Sequence, residues 1–74
     1  MKVIFDYKKL SKDILDKRVK EDLSFTAIFK QSGIPRHIVH GMEEGKQIPS
    51  CKNFALILGW LEALPESYFK VTKK

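Results

Sequence analysis

Two histidines carry the first candidate chemistry in the sequence. His37 and His40 lie three positions apart, a spacing that places both side chains on one face of a helix. With Cys51 or Glu43 they could bind a metal, because imidazole, thiolate and carboxylate groups are the usual zinc ligands. Their spacing matches no zinc motif, however, and the chain has a single cysteine. We therefore predict two solvent-facing histidines, with no metal and no other cofactor.

The residue types give covalent catalysis no support. Cys51 is the only thiol, and no neighbouring residues could serve as its base and its orienting group. The glycines form no phosphate-cradling loop followed by a lysine. We predict that the protein is not an enzyme and that Cys51 is an ordinary helix residue.

The composition indicates one small folded domain over residues 1–74. Hydrophobic residues make up 43% of the chain, which is enough for a folded core, and charged residues make up 31%. The net charge of +5 favours a polyanionic partner such as nucleic acid. Because the basic residues are spread over the whole chain, a nucleic-acid surface would have to be assembled by folding.

The sequence also bears on where the protein works. One cysteine allows no internal disulfide, and a reducing compartment is the simple interpretation. No apolar run is long enough for a signal peptide or a membrane span. We expect a soluble, intracellular protein with no membrane partner and no small-molecule ligand.

The chain begins with an arm and a helix. Residues 1–7 form the N-terminal arm, in which residues 3–5 are β-branched or aromatic and residues 2–5 could form a short strand. Residues 8–22 follow as a helix with an apolar stripe that consists of Leu10, Ile14 and Val19. The remaining positions of this helix are mostly charged.

Two short helices surround the histidines. Ser24 is a good N-cap for a helix over residues 25–32, and Gly33 supplies the left-handed residue that commonly ends a helix. The next helix starts at Pro35, which is tolerated in a first turn because no N–H partner is needed there. Gly45 ends this helix in the same way as Gly33.

The remaining residues complete a five-helix, all-α prediction. Ser50 can cap a fourth helix over residues 51–62, which is rich in apolar residues at helical spacing. A last short helix covers residues 65–69, and residues 70–74 form a basic tail.

The second and third helices and the glycine turn between them predict a helix-turn-helix unit over residues 24–43. Apolar side chains on the inner faces would lock the two helices together. The outer side of the second of these helices would then be free to enter a DNA major groove. The predicted packing residues are Ile28, Gly33, Ile34, Val39 and Met42.

Residues 23–69 resemble the Cro/CI-type (XRE-family) helix-turn-helix domain of phage repressors and bacterial regulators. Residues 41–46, GMEEGK, are similar to the family's helix-ending pattern, and the proline and serine at 49–50 match the start of its next helix. The resemblance implies a compact five-helix, lambda-repressor-like fold. It also implies a cytoplasmic transcriptional regulator, most simply a phage-type repressor that occupies operator DNA as a dimer.

The resemblance implies a set of contacts with double-stranded DNA. The implied base contacts are Arg36, His37, His40 and Gly41. The implied backbone contacts are Ser24, Phe25, Thr26, Lys46, Gln47 and Lys52. Arginine is the commonest bidentate partner of guanine, although Arg36 could instead contact phosphate. Gly41 costs about 1 kcal/mol relative to alanine inside a helix, and either close approach to the duplex or close helix packing would explain it.

Some positions depart from the family pattern and keep a second function open. Phe25 stands where the family has a glutamine, and it could contact a sugar or a thymine methyl but not a phosphate. Phe29 replaces a small residue, and Glu44 opposes phosphate binding if it faces DNA. Together with Gly41, Phe25 and Glu44 favour the alternative of a protein-binding module, an antirepressor or antitoxin-like domain with the same fold.

Dimers of such domains place two recognition helices on half-sites about one helical turn apart. Exposed aromatic and β-branched side chains could form the dimer surface, and burial in the core is the alternative for each of them. The candidates are Trp60, Tyr68, Phe69 and residues 3–5.

Overall fold

Four α-helices and a two-stranded antiparallel sheet form the part of the chain that the computed structural model describes, residues 2–72. The strands come from the two ends of this range, and the helices lie between them. In chain order the elements are β1 (Lys2–Phe5), α1 (Tyr7–Lys20), α2 (Phe25–Ser32), α3 (Arg36–Glu43), α4 (Cys51–Leu61), a 3₁₀ turn (Pro65–Tyr68) and β2 (Phe69–Thr72).

The two strands form a ribbon that joins the two ends of the described chain. The register pairs Lys2 with Thr72, Val3 with Val71, Ile4 with Lys70 and Phe5 with Phe69. The strand predicted near the N-terminus is therefore present. The prediction of a basic tail is wrong for residues 70–72, because they pair with β1; residues 73–74 lie outside the described residues.

Side-chain caps begin three of the four described α-helices. Asp6 accepts a hydrogen bond from the Lys9 amide (3.2 Å), and α1 therefore starts one residue earlier than predicted. This bond holds the pKa of Asp6 below its ordinary value. Ser24 and Ser50 cap α2 and α4, as predicted, by accepting from the amides three residues further on.

Left-handed residues lie at or just beyond the ends of all four described α-helices, and Asp22 (φ +53°) follows α1 in this way. Gly33 (φ +81°) ends α2 and Gly45 (φ +74°) lies just beyond α3, as predicted. The Lys46 amide donates to the Gly41 carbonyl and the Gly45 amide to the Met42 carbonyl, which is the Schellman pattern. The end of α4 differs from the prediction, because Glu62 (φ +56°) takes the left-handed conformation and lies outside the helix.

The last short helix, predicted over residues 65–69, is present only as a 3₁₀ helix over Pro65–Tyr68, so the five-helix prediction is met in part. Pro65–Tyr68 makes one 3₁₀ turn, and Phe69 then continues as a strand (φ −121°, ψ 133°). Two constraints fix this change. The Tyr68 ring is buried with its hydroxyl donating to the Asp13 carboxylate (2.7 Å), and Phe69 packs beside Phe5 with ring centroids 5.4 Å apart.

The core lies where the four helices and the 3₁₀ turn meet. Val19 was predicted to belong to it but is 65% exposed, because Arg18, four residues after Ile14, occupies the inward position. The buried apolar residues are Leu10, Ile14, Ile28, Ile34, Val39, Met42, Ile57, Leu58, Trp60 and Tyr68. Of the helices within residues 2–72, none combines the length and the apolar character needed to cross a lipid bilayer.

Candidate nucleic-acid interface

α2, a three-residue turn and α3 lie where the helix-turn-helix unit was predicted, except that α3 begins at Arg36 and Pro35 is its N-cap and not its first residue. Ser32 stabilises the turn from the end of α2: its hydroxyl donates to the Ile28 carbonyl (2.8 Å) and accepts from the Ile34 amide (3.2 Å). The four apolar residues predicted to pack the two helices together are fully or almost fully buried. They are Ile28, Ile34, Val39 and Met42.

An ion pair and a hydrogen bond fix the C-terminal half of α3 to α1. The Arg18 guanidinium donates to both carboxylate oxygens of Glu43, with N–O distances of 2.7 and 2.8 Å. This pairing raises the pKa of Arg18 above its ordinary value. The Ser11 hydroxyl donates to the Met42 carbonyl (2.6 Å). Glu43 is thus turned inward, and it does not repel a phosphate bound to the outer face of α3.

Arg18 and Ser11 are the positioning residues that the sequence analysis missed. Arg18 lies four positions after Ile14 and Ser11 three positions before it, so both lie close to the buried side of α1. A polar residue at such a position is the signal that could have identified them, because a side chain there must find a partner on the helix it faces.

Phe25 connects Arg18 to the exposed side of α3. The Arg18 guanidinium lies 4.8 Å from the centroid of the Phe25 ring, in cation–π geometry. On its other side the Phe25 ring makes an edge contact with His40, at a centroid distance of 5.2 Å. Phe25 is therefore half-buried at the junction of α2 and α3. The sequence predicted that this residue contacts the DNA backbone.

Three of the four predicted base-contacting residues lie on the exposed side of α3. Arg36, His37 and His40 are all exposed. Arg36 Nη1 lies 3.4 Å from Thr26 Oγ1, a contact that brings the first turn of α3 beside the first turn of α2. One predicted base contact, Arg36, and one predicted backbone contact, Thr26, thus lie side by side.

Gly41 does not lie on that exposed side, and the expectation that it does is wrong. It is buried, and the Gln47 side chain covers it: a Cβ at Gly41 would lie 2.6 Å from Gln47 Oε1. Of the two explanations for this glycine, the structure favours close packing. Gln47, which was predicted to contact the DNA backbone, is exposed, and its side chain lies over Gly41.

Glu44 lies between two basic groups. Its carboxylate oxygens lie 3.4 Å from His40 Nε2 and 3.5 Å from Lys46 Nζ. The side chain of Lys46 remains 76% exposed. The negative charge of Glu44 is therefore partly compensated within the protein.

The other predicted backbone contacts lie at helix starts. Ser24 Oγ accepts from the Ala27 amide (3.1 Å) while its own hydroxyl proton stays available for donation. Lys52 lies in the first turn of α4 and is exposed. Among residues 2–72, no hydrogen bond or ion pair joins Lys52 to the α2–α3 unit.

A shallow depression of about 530 Å³ lies between α2 and the first turns of α3. Its lining combines apolar rings with basic and hydrogen-bonding side chains and includes no carboxylate. Phe29, which the sequence marked only as a departure from the family, is 46% exposed there. The lining residues are Phe25, Phe29, Pro35, Arg36, His37 and His40.

The described residues bring no potential metal ligands together. Over residues 2–72, no three His, Cys, Asp or Glu side chains are grouped as a metal site would require. Cys51 is exposed at the start of α4.

Comparison of the chain with protein-family models, with curated proteins and with solved structures gives no match.

Proposed function

We propose that the chain binds double-stranded DNA in a sequence-specific manner and regulates transcription, as a phage-type repressor that occupies its operator as a dimer. One observation carries the proposal. The inner face of α3 is fixed to α1 and α2, while its outer face presents Arg36, His37 and His40 beside the start of α2. A rigid helix with polar side chains on its free face is what readout in a major groove requires.

The proposed roles follow from where each side chain lies. Arg36 reads a guanine edge, and its contact with Thr26 limits the directions in which the guanidinium can point. His37 and His40 contact neighbouring bases or phosphates. The N-terminus of α2, with Ser24 and Thr26, binds a phosphate through the hydroxyl groups and the positive end of the helix dipole.

The ribbon is the dimer surface that we propose. Trp60 and Tyr68 were also candidates, but both are buried: Trp60 Nε1 donates to Gln31 Oε1 (2.8 Å), and Tyr68 is 1% exposed. Val3 and Phe69 on the ribbon remain exposed, at 58% and 43%.

Selection of bound duplexes from a random DNA pool at physiological salt tests the proposal. We expect an enriched motif that contains guanine at one or more fixed positions. The Arg36→Ala variant is expected to lose preference at one of these positions, by about tenfold or more, while its folding is unchanged. Lys20→Ala is the matched control, because it removes one positive charge from an exposed position on α1 that lines a different surface, with Leu61 and Ser67. A pool without any enriched motif would overturn the proposal.

A protein-binding module is the second candidate, and the depression beside α3 favours it. Phe29 and Pro35 offer an exposed apolar surface of the kind that protein partners cover. The Arg36→Ala experiment separates the two functions, since an unchanged DNA profile would favour the protein-binding module.

A further inference from the structure

Phe29 is a large apolar residue of α2 that does not belong to the hydrophobic core. Ile28 next to it is fully buried, whereas the Phe29 ring is 46% exposed in the depression between α2 and α3. The depression has two further apolar walls, Phe25 and Pro35. Three apolar side chains therefore form an open surface directly beside Arg36.

The charge of the lining defines the kind of group that can occupy this surface. Arg36, His37 and His40 line the depression with hydrogen-bond donors. No carboxylate belongs to the lining itself, although Glu44 lies 3.4 Å from His40 Nε2 at its edge. A complementary ligand has a small apolar group flanked by hydrogen-bond acceptors, and this group belongs to an anionic molecule. The major-groove edge of thymine has this arrangement, because its C5 methyl group adjoins the O4 acceptor.

We propose that the depression receives the C5 methyl group of a thymine, with Phe29 as its floor, in the base pair next to the guanine that Arg36 contacts. This inference rests on the proposed function, since it names part of the sequence that the protein reads. Pro35 and Arg36 are adjacent in the chain and line the same depression, so their contacts fall on neighbouring base pairs. Phe29 and Pro35 thus determine specificity through apolar contact, and Arg36 through hydrogen bonds.

The decisive probe is the selected duplex with deoxyuridine in place of thymidine, one position at a time. This exchange removes the C5 methyl group and leaves base pairing intact. We expect one position at which the exchange weakens binding about fourfold, the effect of removing one buried methyl group. Because the native protein is used, this measurement does not depend on how any variant folds.

The Phe29→Ala variant assigns the effect to the depression. The exposed position of Phe29 leaves the core unaffected, and the variant is expected to bind the thymine and uracil duplexes equally. Leu64→Ala is the matched control: Leu64 is 63% exposed outside the depression, and its variant is expected to keep the thymine preference.

The outcomes separate this inference from the proposed function. If Arg36→Ala loses its preference at a guanine position but uracil is accepted at every position, thymine reading is overturned and the proposed function stands. A uracil effect that persists undiminished in Phe29→Ala also overturns the assignment. If no duplex is selected at all, the proposed function itself fails.

The same methyl group occurs on 5-methylcytosine, so a duplex with 5-methylcytosine opposite guanine at the sensitive position distinguishes the two sources. Binding weaker than that of the thymine duplex supports thymine as the base that is read, whereas equal binding overturns the thymine proposal, because 5-methylcytosine carries an amino donor where thymine carries the O4 acceptor. Binding clearly tighter than that of the thymine duplex would assign the depression to methylated DNA and overturn the thymine proposal.

Discussion

Arg18 links three helices through one side chain. It forms a bidentate ion pair with Glu43 on α3, stacks on Phe25 of α2, and belongs to α1. The Glu43 side chain is only 10% exposed, so the loss of Arg18 would leave a carboxylate that water reaches poorly. Arg18→Ala is expected to lower the free energy of unfolding by about 2 kcal/mol, measured by urea denaturation.

Lys12→Ala is the control for Arg18, because it breaks a pair with Asp16 in which both side chains are mostly exposed. We expect almost no change in its unfolding midpoint. Equal effects of the two substitutions would contradict a special role for Arg18.

The Gly41→Ala substitution, which replaces one hydrogen atom by a methyl group, tests why this position is a glycine. The three atoms nearest to a Cβ there all belong to the Gln47 side chain, with Oε1 at 2.6 Å and both Cδ and Cγ at 2.9 Å, and this flexible side chain can move away. In a Gln47→Ala background we expect Gly41→Ala to raise the free energy of unfolding by about 1 kcal/mol, from helix propensity alone. In the native background the gain is smaller, because Gln47 must move. A loss of stability in the Gln47→Ala background would show that Gly41 is needed for some other contact.

Tyr68 predicts how stability depends on alkaline pH. Burial and the hydrogen bond to Asp13 raise the pKa of its phenol, so the folded protein keeps a proton that the unfolded chain loses. The stabilisation is complete below the ordinary tyrosine pKa of about 10 and is lost as the pH rises beyond it. We expect this group to lower the free energy of unfolding by up to about 1.4 kcal/mol per pH unit above pH 10.

Chemical denaturation at a series of pH values, from 8 to 11.5, measures the effect of Tyr68. Tyr68→Phe is expected to lose about 1 kcal/mol at pH 8 and to show a shallower alkaline decline. Tyr7→Phe, which alters an exposed ring, should follow the native curve. Parallel curves for the native protein and Tyr68→Phe above pH 10 would refute the prediction.

Among the elements, α4 ends on a residue ill suited to its conformation. Glu62 is exposed and takes φ +56°, a region that costs a residue with a Cβ about 1 kcal/mol. Glu62→Gly is expected to raise the thermal midpoint by a few degrees, measured by calorimetry. Glu66→Gly in the 3₁₀ turn, where φ is not positive, should lower it. A decrease in the thermal midpoint with Glu62→Gly would indicate that the Glu62 side chain makes a contact that stabilises the protein by more than the backbone strain costs.

The elements that the sequence predicts best are those whose limits are set by local chemistry. The bounds of α2 were predicted from Ser24 and Gly33, because the cap and the left-handed residue act within one turn of the helix. β2 was not predicted, since its partner strand lies almost the whole chain away. The same reason explains Arg18: its partner Glu43 is 25 residues distant, so no local pattern reveals the pair.

The same distinction between local and long-range effects applies to the residues of the candidate site. The exposure of Arg36, His37 and His40 follows from helical periodicity, which the sequence displays. The burial of Gly41 could not be predicted in this way, because it depends on how the loop after α3 folds back and places Gln47 over it.

At the scale of the whole molecule, the net charge of +5 and the basic groups around α3 predict a strong effect of salt on the proposed DNA complex. The logarithm of the association constant should fall linearly with the logarithm of the salt concentration. Lys46→Ala is expected to reduce the slope by about one if Lys46 contacts phosphate, and fluorescence anisotropy measures it. Lys20→Ala should leave the slope unchanged. Equal slopes for the native protein and Lys46→Ala would place Lys46 outside the interface.

The ribbon also determines how the domain can be joined to other proteins. Lys2 and Thr72 are register partners, so the two ends of the described chain leave it about 5 Å apart. A host protein could accept residues 2–72 within a surface loop without stretching either junction, since domains with adjacent ends tolerate such insertion. The same closeness permits circular permutation, in which a short linker joins residue 72 to residue 2 and new ends open in a loop between helices.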